Sequence, residues 1–328
     1  MAEKIETSHP ISDRDNPNHH QSSLGLSALT SDQLNTLIAQ AKVKCQGGQL
    51  PTYIPLLAQA NPGWVAIQVQ RIKGEGVAAG DIRCSFPLMS VIKPFVLLFL
   101  LEQLGTEAVF SQVGMEPSDQ PFNSLAQLQA DRGKPRNPMI NSGAIALAGR
   151  LPGKDGASRC ESLRQWLNQR SHSQLVLDEA MLQSVRSLPN ERNQAIANLL
   201  ATVGYLDCPE IALDTYNHVC CLSGTVTDLA NLGMLLGQDS PLISPQHRRT
   251  VNDILITCGL YQASSRFATE VGLPTKSGVS GAILSIVPSQ GAIACYSPAL
   301  DETGNSQAGL FIVQQLAQDF NLSSTPHP

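Results

Sequence analysis

A serine and a lysine stand three residues apart inside an almost wholly apolar stretch, residues 84–103. They are Ser90 and Lys93, and on a helix this spacing puts the hydroxyl and the amine on one face. A serine becomes a nucleophile when a neighbouring base takes its proton, and burial lowers the pKa of a lysine enough to make it such a base. The Ser-x-x-Lys pattern therefore indicates acyl-transfer chemistry. The structural alternative is a helix-capping serine beside a lysine that reaches solvent.

A second lysine stands in a Lys-Ser-Gly run that leads into a predicted strand. This is Lys276, followed by Gly278 and then by the apolar residues 281–287. A Lys-Ser/Thr-Gly element of this kind accompanies Ser-x-x-Lys in serine β-lactamases and penicillin-binding proteins. We expect Lys276 to be a second cation that lowers the pKa of Lys93. Without the first element, an ordinary turn lysine would be the better interpretation.

The elements that must hold these residues follow from the hydrophobic pattern. Pro94 is tolerated only in the first turn of a helix, which predicts a helix start near Met89 or Ser90. Alternating residues predict a strand at 64–70, with a second strand that ends near Arg83. The same hairpin pattern recurs near the other end of the chain. Its two strands are predicted at 281–287 and 292–298.

Helical patterns fill the rest of the chain and set the fold class. A capped helix is predicted from Thr30, an amphipathic helix at 306–322, and mainly helices over roughly 95–255. We therefore predict an α/β (α+β) fold: an antiparallel sheet built from both termini, flanked by helices, with an inserted all-helical lobe. One domain is expected over 26–322. The tails at 1–25 and 323–328 are expected to be disordered.

Composition excludes several classes of function. The net charge of −5 offers no basic surface for nucleic acid. No stretch has the roughly 18 uncharged apolar residues of a membrane span, and the amino terminus lacks the apolar core of a signal peptide. The eight cysteines form no Cys-x-x-Cys motif, which favours free thiols in the cytoplasm. The histidines lack ligand spacing, so no metal site is predicted.

Six motifs in order resemble those of the bacterial serine-dependent glutaminases, over about residues 30–318. They are SVIK (90–93), RNPMINSGAI (136–145), ERNQAIA (191–197), YNHVC (216–220), VGLPTKSGVSGAI (271–283) preceded by Tyr261, and SPALDETGNS (297–306). The resemblance implies a β-lactamase-like fold. It also implies hydrolysis of L-glutamine to L-glutamate and ammonia without a cofactor.

The resemblance also implies roles for single residues. Ser90 corresponds to the nucleophile and Lys93 to its base. Tyr216 and Tyr261 correspond to two site tyrosines that transfer protons or contact the amide nitrogen. The backbone N–H of Val279, just after the Lys-Ser-Gly element, would join that of Ser90 in an oxyanion hole, for which the adjacent Gly278 gives close backbone approach.

Three further positions correspond to residues that hold the substrate. Asn141 and Asn193 match residues that bind its polar end, and Tyr53 matches another substrate-contacting tyrosine. Each also has a structural alternative: either asparagine could cap the helix that follows it, and a tyrosine is often simply half-buried. The chain has only five tyrosines, and three of them fall on motif positions, which favours a functional role.

One departure from the family pattern concerns the substrate's α-ammonium. The family has a glutamate for it seven residues before the position of Asn193, where this chain has Arg186. No acid lies between Ser184 and Asn190, and the nearest carboxylate is Glu191. A positive charge at this point would repel an ammonium. Either Glu191 or another acid replaces the glutamate, or the substrate is not free glutamine.

Three classes of function remain open on these residues. A glutaminase or a close amidohydrolase is preferred, with glutamine as the small-molecule partner. A penicillin-recognising hydrolase shares both lysine elements, but it normally requires export. A ligand-binding pseudoenzyme is the third, which the missing glutamate would allow. The family further suggests a homo-oligomer, a dimer or a tetramer.

Overall fold

The computed structural model describes residues 25–323. Apart from their innermost residues, the tails predicted to be disordered therefore lie outside the described residues. Within that range the chain forms thirteen α-helices. They are α1 Ser31–Lys44, α2 Lys93–Leu104, α3 Thr106–Phe110, α4 Leu125–Ala130, α5 Asn141–Ala148, α6 Gly156–Ser171, α7 Glu179–Arg186, α8 Glu191–Thr202, α9 Pro209–Cys220, α10 Val226–Gly237, α11 Pro245–Cys258, α12 Ser264–Glu270 and α13 Gln307–Asp319.

Eight strands in the described region form two sheets. The strands are β1 Ala66–Arg71, β2 Val77–Gly80, β3 Phe86–Pro87, β4 Val176–Leu177, β5 Leu222–Gly224, β6 Thr275–Ser277, β7 Ala282–Val287 and β8 Gly291–Tyr296. The larger sheet has the antiparallel order β2-β1-β8-β7-β6. Strands from both ends of the chain meet in its centre, where β1 pairs with β8 from Ala66 opposite Tyr296 to Arg71 opposite Gly291. This confirms the predicted fold class.

The larger sheet is covered on both faces, which explains its nearly continuous apolar strands. Along β7, Leu284 and Ile286 belong to one core cluster, whereas Ile283 and Val287 belong to a second cluster on the opposite face. Helix α10 packs on the first face, and α13 packs on the second. The first cluster continues into the helical region, where α2 is buried from its first residue to Leu101.

Two local features differ from the prediction. The second strand ends at Gly80 rather than near Arg83, because the chain turns there to pair with Val65. At Gly80 φ is +80°, a Cβ would lie 2.1 Å from the Val65 oxygen, and the next N–H, of Asp81, donates to that same oxygen. The small sheet β3-β5-β4 was not predicted. Its strands have only two or three residues, too few to show a period.

The small sheet fixes the segment that precedes Ser90. Strand β3 pairs with β5, and the N–H of Leu88 continues the pairing by donating to the Leu222 oxygen at 2.8 Å. The Phe86 ring stacks on Tyr296 of β8, with centroids 4.2 Å apart. The turn that carries Ser90 is therefore anchored both to the end of α9 and to the large sheet.

Candidate active site

Ser90 lies in a 3-10 turn, Met89–Ile92, that runs directly into α2. This confirms the predicted helix start, with Pro94 in the first turn of α2. The residue before the serine, Met89, has φ +47°, a left-handed conformation that costs energy in a non-glycine residue. Strain of this kind persists where surrounding structure enforces it, and here it holds Ser90 at the wall of a cavity.

Lys93 is the first residue of α2 and is 2% exposed. Its amine donates hydrogen bonds to the Met139 carbonyl oxygen at 3.1 Å and to Asn141 Oδ1 at 2.8 Å. Burial lowers its pKa from 10.5 to about 8. Both hydrogen-bond acceptors are uncharged, and an interaction with Cys220 raises the Lys93 pKa by less than burial lowers it. The solvent-reaching alternative for this lysine is therefore wrong.

Asn141 joins this amine to two other predicted site residues. Its Oδ1 also accepts a hydrogen bond from the Tyr216 hydroxyl at 3.1 Å, and its Nδ2 donates to Asn193 Oδ1 at 3.0 Å. Neither asparagine side chain caps a helix. Ile140 precedes α5 without a side-chain cap, and Asn190 is the residue that caps α8. The two amides instead link the starts of α5 and α8 to Lys93.

The second lysine lies at the other end of the cluster. Lys276 is fully buried on β6, its amine donates to the Ser277 carbonyl oxygen at 2.7 Å, and it lies 4.4 Å from the centre of the Tyr261 ring. Burial first, and repulsion from Lys93 second, hold the Lys276 pKa well below its ordinary value. The expectation for the pair needs correction, because burial rather than Lys276 lowers the pKa of Lys93.

Both site tyrosines are buried, and burial is the main cause of their raised pKa values. The pKa of Tyr216 is raised well above 10, and that of Tyr261 is raised to about 12, where hydrogen bonds with Ser90 and Ser277 oppose the rise. Tyr261 has φ +57° and donates its hydroxyl hydrogen to the Ser277 oxygen at 3.3 Å. Both phenols are therefore neutral at physiological pH.

The segment after Lys276 lies against the turn that carries Ser90. A Cβ placed on Gly278 would lie 2.7 Å from the Leu88 oxygen and 3.4 Å from the Ser90 nitrogen. Only a glycine permits this approach. Val279 follows at the cavity wall, and among the described residues no backbone oxygen accepts its N–H. The N–H groups of Ser90 and Val279 thus border one cavity.

This cavity has a volume of about 440 Å³ and brings together most of the predicted site. The predicted residues in its wall are Tyr53, Ser90, Asn141, Asn193, Tyr216 and Val279. Lys93, Tyr261, Lys276 and Gly278 lie behind the wall and contact these residues as described above. The structure therefore collects all ten predicted positions into one cluster, although they come from distant parts of the chain.

Arg186 is absent from the described wall of the cavity. Its guanidinium pairs with the Asp214 carboxylate and lies 3.5 Å from His218 Nδ1, and neither of these partners is in the described cavity wall. It therefore does not place a positive charge in the site. The residue beside it, Val185, is the one that faces the cavity, together with Leu188 and residues 189–192.

Several residues of the cavity wall were not predicted as site residues, among them Cys220, Phe122 and Asn217. Cys220 lines the cavity, and its thiol interacts with the Tyr216 hydroxyl; burial raises the pKa of this thiol to about 11. Phe122 and Asn217 also line it. Asn217 directly follows Tyr216 in the YNHVC motif, so its position in the sequence could have indicated a site residue. Phe122 comes from a loop whose sequence carries no distinctive pattern.

No group of three or more His, Cys, Asp or Glu side chains in the described part could hold a metal ion. No helix within residues 25–323 has the length and apolar character needed to cross a membrane.

A Ser-x-x-Lys turn at the start of a buried helix, lying against a Lys-Ser-Gly strand, is the arrangement of serine acyl-transfer hydrolases. The particular family follows from comparison: the family model described as Glutaminase matches residues 48–324, and the chain belongs to this family. It is therefore an amidohydrolase that converts L-glutamine and water to L-glutamate and ammonia.

Individual relatives agree over most of their length. A glutaminase from Synechocystis sp. is 44% identical over 293 residues, which are 89% of this chain and 90% of that protein. A glutaminase from Alkaliphilus metalliredigens is 36% identical over 89% of this chain and 99% of that protein. Among solved structures, a probable glutaminase from Bacillus subtilis superposes with a TM-score of 0.83 at 30% identity, covering 89% of this chain and 97% of that one. Another structure of a probable glutaminase from Bacillus subtilis, described as complexed with 6-diazo-5-oxo-L-norleucine, has a TM-score of 0.82 at 28% identity. It covers 96% of this chain and 100% of that one.

Proposed function

We propose that this glutaminase works through a glutamyl ester on Ser90, with Lys93 as the base that activates it. The observation that carries the proposal is the state of the Lys93 amine. It is buried, its two hydrogen-bond acceptors are neutral, and its pKa is lowered to about 8. A lysine in this state is neutral in a useful fraction of molecules near neutral pH, which a general base requires.

In the first half of the reaction, Ser90 Oγ attacks the carboxamide carbon of glutamine and its proton passes to the Lys93 amine. The N–H groups of Ser90 and Val279 stabilise the oxygen of the tetrahedral intermediate. The C–N bond then breaks, the leaving nitrogen takes a proton from a site tyrosine and departs as ammonia, and the Lys93 ammonium returns a proton to that tyrosine, which leaves the lysine neutral again. In the second half, water attacks the carbonyl carbon of the glutamyl ester and Lys93 takes its proton. The bond from this carbon to Ser90 Oγ then breaks, Lys93 returns the proton to Ser90 Oγ, and glutamate is released.

The raised tyrosine pKa values favour the lysine over a tyrosinate as the base. An anionic Tyr216 or Tyr261 would be very rare at neutral pH, because burial penalises the charged phenolate. As neutral phenols, both can donate a hydrogen bond or pass a proton. Tyr261 interacts with Ser90, and Tyr216 shares an acceptor, Asn141, with Lys93. We therefore assign the tyrosines to proton transfer toward the leaving nitrogen.

The test combines activity with covalent labelling. Purified protein should release ammonia from L-glutamine, and Ser90→Ala should lose at least about 10⁴-fold in kcat, the usual cost of removing a nucleophile. 6-Diazo-5-oxo-L-norleucine, the compound bound by the Bacillus subtilis relative, should label Ser90 and leave Ser90→Ala unmodified by mass spectrometry. Ser162→Ala, on α6 and outside the cavity wall, is the matched serine control and should behave as wild type.

A wild-type protein that releases no ammonia from glutamine would contradict the substrate assignment. Full activity in Ser90→Ala would contradict the nucleophile. Label on a residue other than Ser90, such as Cys220, would do the same for the proposed acyl-enzyme.

We also propose a location and an assembly state. All eight cysteines are free thiols in the structure, which supports a reducing compartment such as the cytoplasm. The family resemblance supports a homo-oligomer, and light scattering on the purified protein would distinguish a monomer from a dimer or tetramer. We further propose that residues 26–322 unfold as one domain, since both core clusters share the large sheet, and one calorimetric transition is expected.

A further inference from the structure

The wall of the active-site cavity carries very little charge for a site that binds an amino acid. Among the described residues that form it, Glu191 is the one acidic side chain and Arg192 the one basic side chain. The side toward α7 is apolar, with Val185, Leu188 and Pro189. A free amino acid brings both an ammonium and a carboxylate, and each loses hydration on entering such a cavity.

Glu191 is free to receive a cation. No ion pair or side-chain hydrogen bond engages its carboxylate within residues 25–323. Its neighbour Arg192 does not neutralise it, because that guanidinium donates instead to Asn123 Oδ1 at 3.2 Å. The hydrogen bond between Asn141 and Asn193 holds the first turn of α8 beside Lys93. Glu191, the first residue of that turn, lines the same cavity as Ser90.

The other charged groups of this region are already paired. Arg186 and Asp214 form an ion pair with each other, and neither is in the cavity wall. An α-ammonium in the cavity therefore meets neither the repulsion of that arginine nor the attraction of that aspartate at close range.

We propose that Glu191 is the specificity-determining residue that binds the substrate's α-ammonium; this inference rests on the proposed reaction at Ser90. Because Glu191 is solvent-exposed, its attraction is screened by water and salt. Discrimination in favour of a free α-amino group is consequently weak. Glutamine derivatives whose α-nitrogen is acylated, and which carry no ammonium, are predicted to be substrates as well.

The experiment compares L-glutamine with Nα-acetyl-L-glutamine in steady-state ammonia assays. Glu191→Gln should lower kcat/KM for L-glutamine by roughly three- to tenfold, mainly through KM, as expected for one partly exposed charge pair. The same variant should leave kcat/KM for Nα-acetyl-L-glutamine within about twofold of wild type. Raising NaCl from low to high concentration should reduce the wild-type preference for L-glutamine and leave the variant unaffected.

Glu179→Gln is the matched control. Like Glu191, this exposed residue directly follows the N-cap of its helix, but it lies outside the cavity wall. It should change neither substrate's kinetics. Equal losses for both substrates in Glu191→Gln, or no loss for either, would overturn the role of Glu191. A wild-type protein that rejects Nα-acetyl-L-glutamine by more than about a thousandfold would overturn weak discrimination, because one exposed carboxylate does not give that factor.

The outcome remains separable from the proposed reaction. If wild type is inert on both compounds, the assignment of Ser90 and glutamine fails. If wild type hydrolyses L-glutamine and only the substrate comparison departs from expectation, the inference about Glu191 fails alone.

Discussion

Replacing Lys93 with methionine should abolish activity and, at neutral pH, make the protein more stable. The amine is 2% exposed, and burial lowers its pKa from 10.5 to about 8 in the folded protein. In the unfolded chain the pKa returns to its ordinary value. Below pH 8 both states carry the proton, and the folded state bears the full cost of a buried charge. As pH rises from 8 to 10.5, the folded protein has released the proton and the unfolded chain still binds it, so stability increases.

The size of the effect follows from the two pKa values. A difference of one in pKa corresponds to about 1.4 kcal/mol. Lowering the Lys93 pKa from 10.5 to about 8 therefore destabilises the folded protein by about 3 kcal/mol below pH 8. Methionine has no such cost, but it abandons two hydrogen-bond acceptors, at about 1 kcal/mol each. The net gain at pH 7 is therefore about 1 kcal/mol, and above pH 10.5 the gain becomes a loss of about 2 kcal/mol.

The change with pH is the more discriminating quantity, because the hydrogen-bond loss is nearly the same at every pH. Urea unfolding of both proteins at pH 7, 8.5 and 10.5 should show the stability difference falling by about 3 kcal/mol across the series. Removal of Lys93 also removes its repulsion of Lys276, which widens the difference in the same direction. A stability difference that is constant with pH would refute the lowered pKa of Lys93. It would thereby also refute the proposed role of Lys93 as the general base. Ammonia release by the Met variant at the wild-type rate would refute the base directly.

Three further predictions rest on the same geometry. The kcat/KM for glutamine should fall about tenfold per pH step below about 8, as the Lys93 amine gains its proton; a limb centred near pH 6 instead would exclude that amine. Gly278→Ala should lose at least about a hundredfold in kcat, because its Cβ would meet the Leu88 oxygen at 2.7 Å and displace the oxyanion donors; unchanged kcat with intact folding would argue against the hole. Arg186→Ala should cost less than about 1 kcal/mol in urea unfolding, because the pair with Asp214 is partly exposed (36% and 39%). A tenfold rise in glutamine kcat/KM in that variant would show that Arg186 does repel the substrate.

Much of the fold is predictable because its signals are local. The hairpin of β7 and β8 has two apolar strands separated by Ser289 and its polar neighbours, and both strands were expected within two residues of their observed bounds. Thr30 was expected to start α1, and it caps that helix through Gln33. Pro94 marked the start of α2. In each case the residues that define the element lie within a few positions of one another.

The small sheet and the direction of side chains could not be predicted in this way. Strand β3 forms because it pairs with β5, and next to it the Leu88 N–H donates to the oxygen of Leu222, over 130 positions away. The local hydrophobic pattern of the sequence contains no signal for such a distant pairing. Arg186 falls on the position of a family ligand, yet its guanidinium pairs with the Asp214 carboxylate, and neither residue is in the described cavity wall. The aspartate is 28 residues away, so sequence spacing gave no hint of the pair.

The pKa values of the two buried lysines, Lys93 and Lys276, depend on the residues that surround the Ser-x-x-Lys and Lys-Ser-Gly motifs. Within residues 25–323, no carboxylate forms a salt bridge with Lys93 or Lys276; their hydrogen-bond acceptors are carbonyl and amide oxygens. A carboxylate in that position would stabilise the protonated amine, raise its pKa, and remove the base. The surroundings of the two amines are thus uncharged, and Glu191, the one acidic residue of the cavity wall among residues 25–323, lies at the start of α8. On the proposed assignment of Glu191, separating the acid from the amines would let one cavity bind an ammonium while the pKa of Lys93 stays at about 8.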